Sequence, residues 1–191
     1  MPNVNRKILV ISAPSGTGKT TIAEALDKQI KDIELITTFT TRKPRPGEQD
    51  SHDYHFVVPI KFKEMIDNND LAEWAEVYGN YYGTPKKDII SAIKEGKTAL
   101  LIIDTQGGRS IKKRFPEAVL IGILPPSIKE QERRIRERSG NLSEQEIQRR
   151  LEAAKEERKI ILSQYDLRFI NKNLENTIKN IVMAIRKKFK S

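Results

Sequence analysis

The residues best equipped to do chemistry are Ala13-Pro14-Ser15-Gly16-Thr17-Gly18-Lys19-Thr20, with Thr21 directly behind them. They follow a short β-branched, apolar run, Ile8 to Ser12, and precede a helical stretch from Lys19 to about Ile30. Between a strand and a helix, a glycine-rich loop turns successive backbone N–H groups inward as an anion nest, and the helix N-terminus adds partial positive charge to the same place. Lys19 is placed to reach β- and γ-phosphates, and the hydroxyl of Thr20 to ligate Mg²⁺. The strict form of this phosphate loop opens with glycine, whereas this chain has Ala13, the smallest side chain that could replace it. The spacing predicts binding of nucleoside triphosphate phosphates and leaves the acceptor open.

A second constellation lies in Thr38-Phe39-Thr40-Thr41-Arg42-Lys43-Pro44-Arg45-Pro46-Gly47-Glu48. Arg42 and Arg45 stand three apart with a proline between them, and a guanidinium fork matches phosphate oxygens bidentately. Tyr54 and Tyr82 offer hydroxyl donors. Ala72-Glu73-Trp74-Ala75-Glu76-Val77 places a carboxylate in an apolar, strand-like segment, and Gly79 to Thr84 reads as a tight turn rich in donors. A carboxylate suits guanine, whose N1–H and N2–H₂ are adjacent donors; adenine has no such pair.

The elements that must position these groups alternate in type. Ile8 to Ser12, Ala99 to Ile103 and Val119 to Leu124 are continuous apolar runs, the mark of strands buried on both faces of a parallel sheet. Leu167 to Ile170 is a further strand and Leu174 to Phe189 a closing helix. Ser127 with Glu130, and Ser143 with Glu146, are capping-box signatures that open two basic helices, broken at Gly140-Asn141. Glu–Arg pairs four apart would stabilise their solvated faces. Between Thr37 and Lys86, Pro44, Pro46, Gly47 and Pro59 interrupt the chain and aromatics cluster. The alternation Tyr54, Phe56, Val58 predicts a short strand there.

Composition narrows the function classes. Apolar residues make up 37% and charged residues 32% of 191 residues, a soluble globular composition. No apolar run approaches the roughly 20 residues that span a bilayer, and the N-terminus lacks the pattern of a signal peptide. The absence of cysteine excludes disulfides, thiolate nucleophiles and cysteine-based metal sites. His52 and His55 read as surface residues. A net charge of +9 points to a phosphate-rich partner, nucleotide or nucleic acid.

The phosphate loop, the Thr38–Glu48 stretch, Gly79-Asn80-Tyr81-Tyr82-Gly83-Thr84 and Asp104-Thr105-Gln106-Gly107 occur in the order seen in guanylate kinases, and the chain resembles that family from about Ile8 to Met183. The resemblance implies an α/β fold: a P-loop NTPase core with a parallel sheet flanked by helices, an inserted small mixed α/β lobe for the acceptor, and a helical lid. The expected divisions are residues 1–36, 87–128 and 153–191 for the core, 37–86 for the GMP-binding lobe and 129–152 for the lid. It implies γ-phosphoryl transfer from ATP to GMP with Mg²⁺ as cofactor, in purine nucleotide metabolism and in the cytoplasm. ATP and GMP are the expected partners, without nucleic acid or membrane, for a monomer or homodimer. Residues 13–21 and Asn171 would hold ATP. Thr38, Arg42, Arg45, Glu48, Tyr54, Glu73, Tyr82, Thr84 and Asp104 would hold GMP, with Glu48 orienting the arginines. Lys19, Arg42, Arg138 and Arg150 would act on the transferring phosphoryl group. The chain departs from the family at Thr38, usually serine, at Ile102, usually aspartate, and at Lys172, also usually aspartate. The alternatives are another nucleoside monophosphate kinase, a non-catalytic scaffold of the same fold and a nucleic-acid binder.

Overall fold

The structure, a computed structural model, describes residues 8–15, 17–139 and 143–189, without the side chains of Thr20, Arg138, Ser139 and Phe189. The chain opens with β1 (Ile8–Ser12), α1 (Lys19–Gln29) and β2 (Ile33–Leu35). A second group follows: β3 (Phe39–Thr40), β4 (His55–Phe56), α2 (Pro59–Asp67), β5 (Leu71–Val77) and β6 (Asn80–Pro85). Then come α3 (Lys86–Lys94), β7 (Thr98–Ile102), α4 (Thr105–Arg114), β8 (Val119–Leu124), α5 (Ile128–Ser139), α6 (Glu144–Gln164), β9 (Leu167–Ile170) and α7 (Leu174–Phe189).

The first sheet is parallel throughout, in the order β2-β7-β1-β8-β9. Its central strand shows why the apolar runs lack alternation. Ile8 and Val10 join a core with Ile89, Ile111 and Ile161 from α3, α4 and α6. Leu9 and Ile11 point to the opposite face, onto Ile22 and Leu26 of α1 and Ile181 and Ile185 of α7. A strand covered on both faces has no polar side to display.

The second sheet is mixed, in the order β4-β3-β6-β5, and packs its own small core of Phe62, Met65 and Leu71. Two details differ from the sequence expectation. The strand expected through Val58 stops at Phe56, and Val58 becomes the N-cap of α2. Pro59, at the first helical position, has its φ preset for a helix. The tight turn expected over Gly79 to Thr84 is instead a strand, β6, and the reversal sits at Tyr78-Gly79, with φ of 50° and 74°. Positive φ at both positions is the two-residue hairpin geometry whose twist matches paired strands.

The serine half of each expected capping box forms, while the Glu130 carboxylate turns to Arg133 and Arg134. Ser127 Oγ accepts from Glu130 N–H at 3.0 Å, and Ser143 Oγ from Glu146 N–H at 3.3 Å. Arg133 and Arg136 bridge to Glu130, Glu137, Glu132 and Glu144, so they are occupied on the helix surface. The Gly140-Asn141 break lies outside the described residues. Among the described residues no helix is long and apolar enough to cross a membrane.

Candidate active site

A cleft of about 280 Å³ opens where the carboxyl ends of β1 and β7 face the second sheet. In open parallel sheets this end collects ligands, because loops diverge there and helix N-termini point into the gap. Pro14, Ser15, Thr17, Gly18, Lys19 and Thr21 line one wall, and Thr38, Arg45, Tyr54, Glu73 and Tyr82 line the other. The phosphate loop and the acceptor constellation therefore share one cavity, although up to 69 positions separate them in the chain.

The loop wall is braced from within. Gly18 caps α1 at φ 87°, a left-handed conformation that glycine takes without steric cost. Thr17 Oγ1 donates to the Pro14 carbonyl at 2.6 Å. Asn171, at the end of β9, donates through Nδ2 to the Thr17 carbonyl at 2.9 Å and accepts from Thr177 Oγ1 at 3.2 Å. Both ends of its amide are thus used inside the chain, which makes Asn171 a brace for the loop. Burial pushes the Lys19 ammonium below the ordinary lysine range, opposed by the charges of Glu157 and Asp104.

On the acceptor wall, Glu48 bonds the two-arginine turn together. Its Oε1 accepts from Arg42 Nη2 at 2.9 Å and its Oε2 from the Arg45 backbone N–H at 2.8 Å. The Arg42 guanidinium lies over the rings of Tyr54 and Phe56, at 5.4 and 5.8 Å. Arg42 is therefore held by packing, whereas Arg45 lines the cleft from an exposed turn. Tyr54 and Tyr82 meet edge to face at 6.0 Å, and burial raises the Tyr54 phenol.

The deepest polar group on this wall is Glu73, only 6% exposed. Its Oε1 accepts from Thr84 Oγ1 at 2.5 Å. Burial pushes its pKa up to about 7, against the Thr84 bond and with a small push from the charge of Asp104. The first turn of α4 approaches so closely that a Cβ on Gly107 would lie 2.6 Å from Glu73 Oε2. Glycine at 107 is what lets strand and helix meet there. Thr38 is 7% exposed and lines the same wall. Asp104 lines the cleft as well, but its Oδ1 also caps α4 by accepting from Gly107 N–H at 2.8 Å, and its carbonyl accepts from Ser12 Oγ at 3.1 Å. Ile102, the family's aspartate position, lines the cleft beside it.

The remaining expected site residues fall elsewhere. Arg150 sits on α6, with its guanidinium 5.4 Å above the ring of Tyr78. Thr20 and Arg138 fall at positions whose side chains are not described, and Gly16 lies outside the described residues. Two cleft residues with titratable side chains were not singled out by sequence. Tyr78 and Glu157 both line the cavity. Burial lifts the Glu157 carboxyl to about 7, opposed by the charge of Lys19. In sequence Glu157 is one acid in the charged run Lys155-Glu156-Glu157-Arg158. Its one available signal is helical spacing: it shares a face with buried Ala154 and Ile161.

Comparisons with known proteins agree with this geometry. The guanylate kinase family profile matches residues 5–188. A guanylate kinase of Caldanaerobacter subterraneus subsp. tengcongensis is 44% identical over 174 residues, covering 91% of this chain and 84% of its own. One from Aromatoleum aromaticum is 41% identical, covering 94% and 87%. The crystal structure of guanylate kinase from Anaplasma phagocytophilum superposes with a TM-score of 0.77 at 32% identity, over 95% of this chain and 85% of that one. With its phosphate loop and its buried-carboxylate wall facing one cleft, the chain belongs to the guanylate kinase family.

Proposed function

We infer that the protein transfers the γ-phosphoryl group of ATP to GMP, giving ADP and GDP. The observation that carries this reading is that Lys19 and Glu73 line one cavity. The first is a group for triphosphate charge, and the second is a buried double acceptor for a base with two adjacent donors.

Phosphoryl transfer asks little covalent chemistry of a protein; positioning and charge stabilisation dominate. The acceptor is a phosphate oxygen that is already anionic, so no general base is required. Arg45 and Arg42, with Tyr54 and Tyr82, hold that phosphate, and Glu48 fixes the turn that carries the arginines. Glu73 and Thr84, with Thr38 beside them, hold the guanine edge. Lys19 and the backbone of the phosphate loop hold the ATP phosphates, and Arg138 and Arg150 come from the lid helices to the transferring group. Asn171 keeps the loop in place.

The donor set suits a Mg²⁺ ion carried on the nucleotide. Among the described residues no cluster of three or more metal-ligating side chains is present, and the cleft offers only the carboxylates of Asp104, Glu73 and Glu157 at separate places. Mg²⁺ keeps several waters and takes phosphate oxygens, so it needs few protein ligands. Thr20 would supply a hydroxyl and Asp104 a carboxylate to its water shell. When bound, the ion offsets charge on the β- and γ-phosphates.

The test is Lys19→Ala. ADP release dependent on GMP should fall by at least a thousand-fold, about 4 kcal/mol of transition-state stabilisation, with the melting temperature retained. Turnover within ten-fold of the parent would overturn the assignment of the loop.

A further inference from the structure

We propose that Tyr78 is a positioning residue for phosphoryl transfer: its ring seats Arg150 and so couples the acceptor-side hairpin to the lid helix. This rests on the reading of Arg150 as an arginine of the transfer step.

Three observations meet at this contact. First, Tyr78 occupies a place that disfavours it. It is the first central residue of the β5–β6 turn, with φ of 50°. That conformation suits Asn, Asp or Gly, and a bulky aromatic held there is an outlier that the surroundings must impose. Asn80 Nδ2 donates to the Tyr78 carbonyl at 3.1 Å and helps to hold the turn. Backbone strain that persists calls for a use of the side chain.

Second, the ring has a defined partner. The Arg150 guanidinium lies 5.4 Å above the ring centroid. Within its own helix Arg150 has a long ion pair to Glu146, 3.7 Å from Nε to Oε1, while its buried Nε lacks a hydrogen-bond acceptor. The half-exposed face of Tyr78 acts beside that long ion pair, and it alone ties this guanidinium to the second sheet among the contacts described.

Third, the contact links two bodies that bear on the same cleft. Tyr78 lines the cavity together with Lys19 and Asp104. Arg150, Ala154, Glu157 and Ile161 follow one another at helical spacing on one face of α6. That face starts at the fully buried Ile161 in the core, passes Glu157 at the cleft and ends with Arg150 over Tyr78. The turn that carries Tyr78 belongs to the sheet that holds Glu73 and Thr84, so the seat of Arg150 is fixed by the same strands that form the acceptor side of the cleft. The sheet on the acceptor side then sets the place of a group that acts on the donor.

The experiment uses Tyr78→Asn, Tyr78→Phe, Arg150→Ala and the Tyr78→Asn/Arg150→Ala double variant in the full chain. Asparagine favours the turn geometry and removes the ring, so Tyr78→Asn should melt at or above the parent temperature. It should still lose roughly five- to thirty-fold in kcat, the range of one partly desolvated cation–π contact, with the KM for GMP and for ATP within about two-fold. The dissociation constant for GMP, read from the single tryptophan, Trp74 on β5, should be unchanged. Phenylalanine keeps the ring and should restore kcat. In the double variant, Tyr78→Asn should add less than two-fold to the loss from Arg150→Ala.

Parental kcat in Tyr78→Asn, equal losses in the Phe and Asn variants, or losses that multiply in the double variant would each overturn the coupling. If Arg150→Ala itself keeps parental kcat, the reading of Arg150 fails, and the coupling with it. If Arg150→Ala is impaired while Tyr78→Asn is not, only the coupling fails.

Discussion

The carboxylate of Glu73 and the hydroxyl of Thr84 face each other across directly paired positions of β5 and β6, joined at 2.5 Å. Strand pairing thus fixes the acid, and the threonine takes one lone pair of Oε1, which leaves acceptor capacity on both oxygens for a ligand. Glu73→Gln turns a double acceptor into one acceptor and one donor, a mismatch with guanine N1–H and N2–H₂. The expected loss in kcat/KM for GMP is about 2–4 kcal/mol, or roughly thirty- to a thousand-fold, because buried polar groups are left unpaired. Steady-state kinetics at saturating ATP measures it. Unchanged GMP kinetics would place base recognition elsewhere.

The same carboxyl makes a prediction about pH. A glutamate in an unfolded chain titrates near 4.3, whereas in the fold Glu73 titrates at about 7. Between those values the folded state keeps a proton that the unfolded chain has released. The ligand-free protein therefore loses stability as pH rises through this window, by at most about 1.4 kcal/mol per pH unit from this group. Guanine donors favour the ionised carboxylate, so GMP binding should expel the proton. Calorimetric GMP titrations near pH 6.5, in two buffers of different ionisation enthalpy, should show release of a substantial fraction of one proton. In Glu73→Gln the release should fall to the part contributed by the GMP phosphate, whose own second pKa is about 6. Equal proton release in the parent and in Glu73→Gln would contradict the contact.

Arg42 and Arg45 should separate in a way that sequence spacing does not predict. Arg45 extends from an exposed turn, so Arg45→Ala should raise the KM for GMP roughly ten- to hundred-fold, the worth of a hydrogen bond between charged groups, and leave the melting temperature unchanged. Arg42 also packs on Tyr54 and Phe56 and bonds to Glu48. Arg42→Ala should show a similar rise in KM together with a lower melting temperature, about 2–4 °C for each kcal/mol lost in a chain of this size. Paired kinetics and thermal melts check both. A KM for ATP that rises as much as that for GMP would point to a general structural role.

Much of the core was legible in the sequence because buried parallel strands leave continuous apolar runs. Ile8–Ser12, Val119–Leu124 and Leu167–Ile170 form with the expected bounds. The phosphate loop was legible for a related reason: its chemistry requires glycines and a lysine adjacent in the chain. The second sheet was harder. Its strands are as short as two residues, and β6 has Gly79 just before it and Gly83 within it, which together imitate a turn. Contacts made across the fold left no local trace. The bracing of the loop by Asn171 spans 154 positions. The approach of Gly107 to Glu73 depends on two elements meeting, and the cation–π seat of Arg150 joins a hairpin tip to a helix 72 positions away. Glu157 was hidden among charged neighbours because burial, not residue type, sets it apart.

The measurement that bears most directly on GMP phosphorylation is ADP release from ATP, coupled to an optical readout, with GMP, AMP, CMP, UMP and dTMP as alternative acceptors at equal concentration. A buried double acceptor rejects a base that lacks the matching donors by leaving itself unpaired, which in sites of this kind is worth about 10⁴-fold. Turnover with GMP should depend on Mg²⁺, the other four should react at least a thousand-fold more slowly, and the preference for GMP should shrink in Glu73→Gln. Comparable turnover with AMP or dTMP, or no turnover with any acceptor while ATP still binds, would contradict GMP as the acceptor.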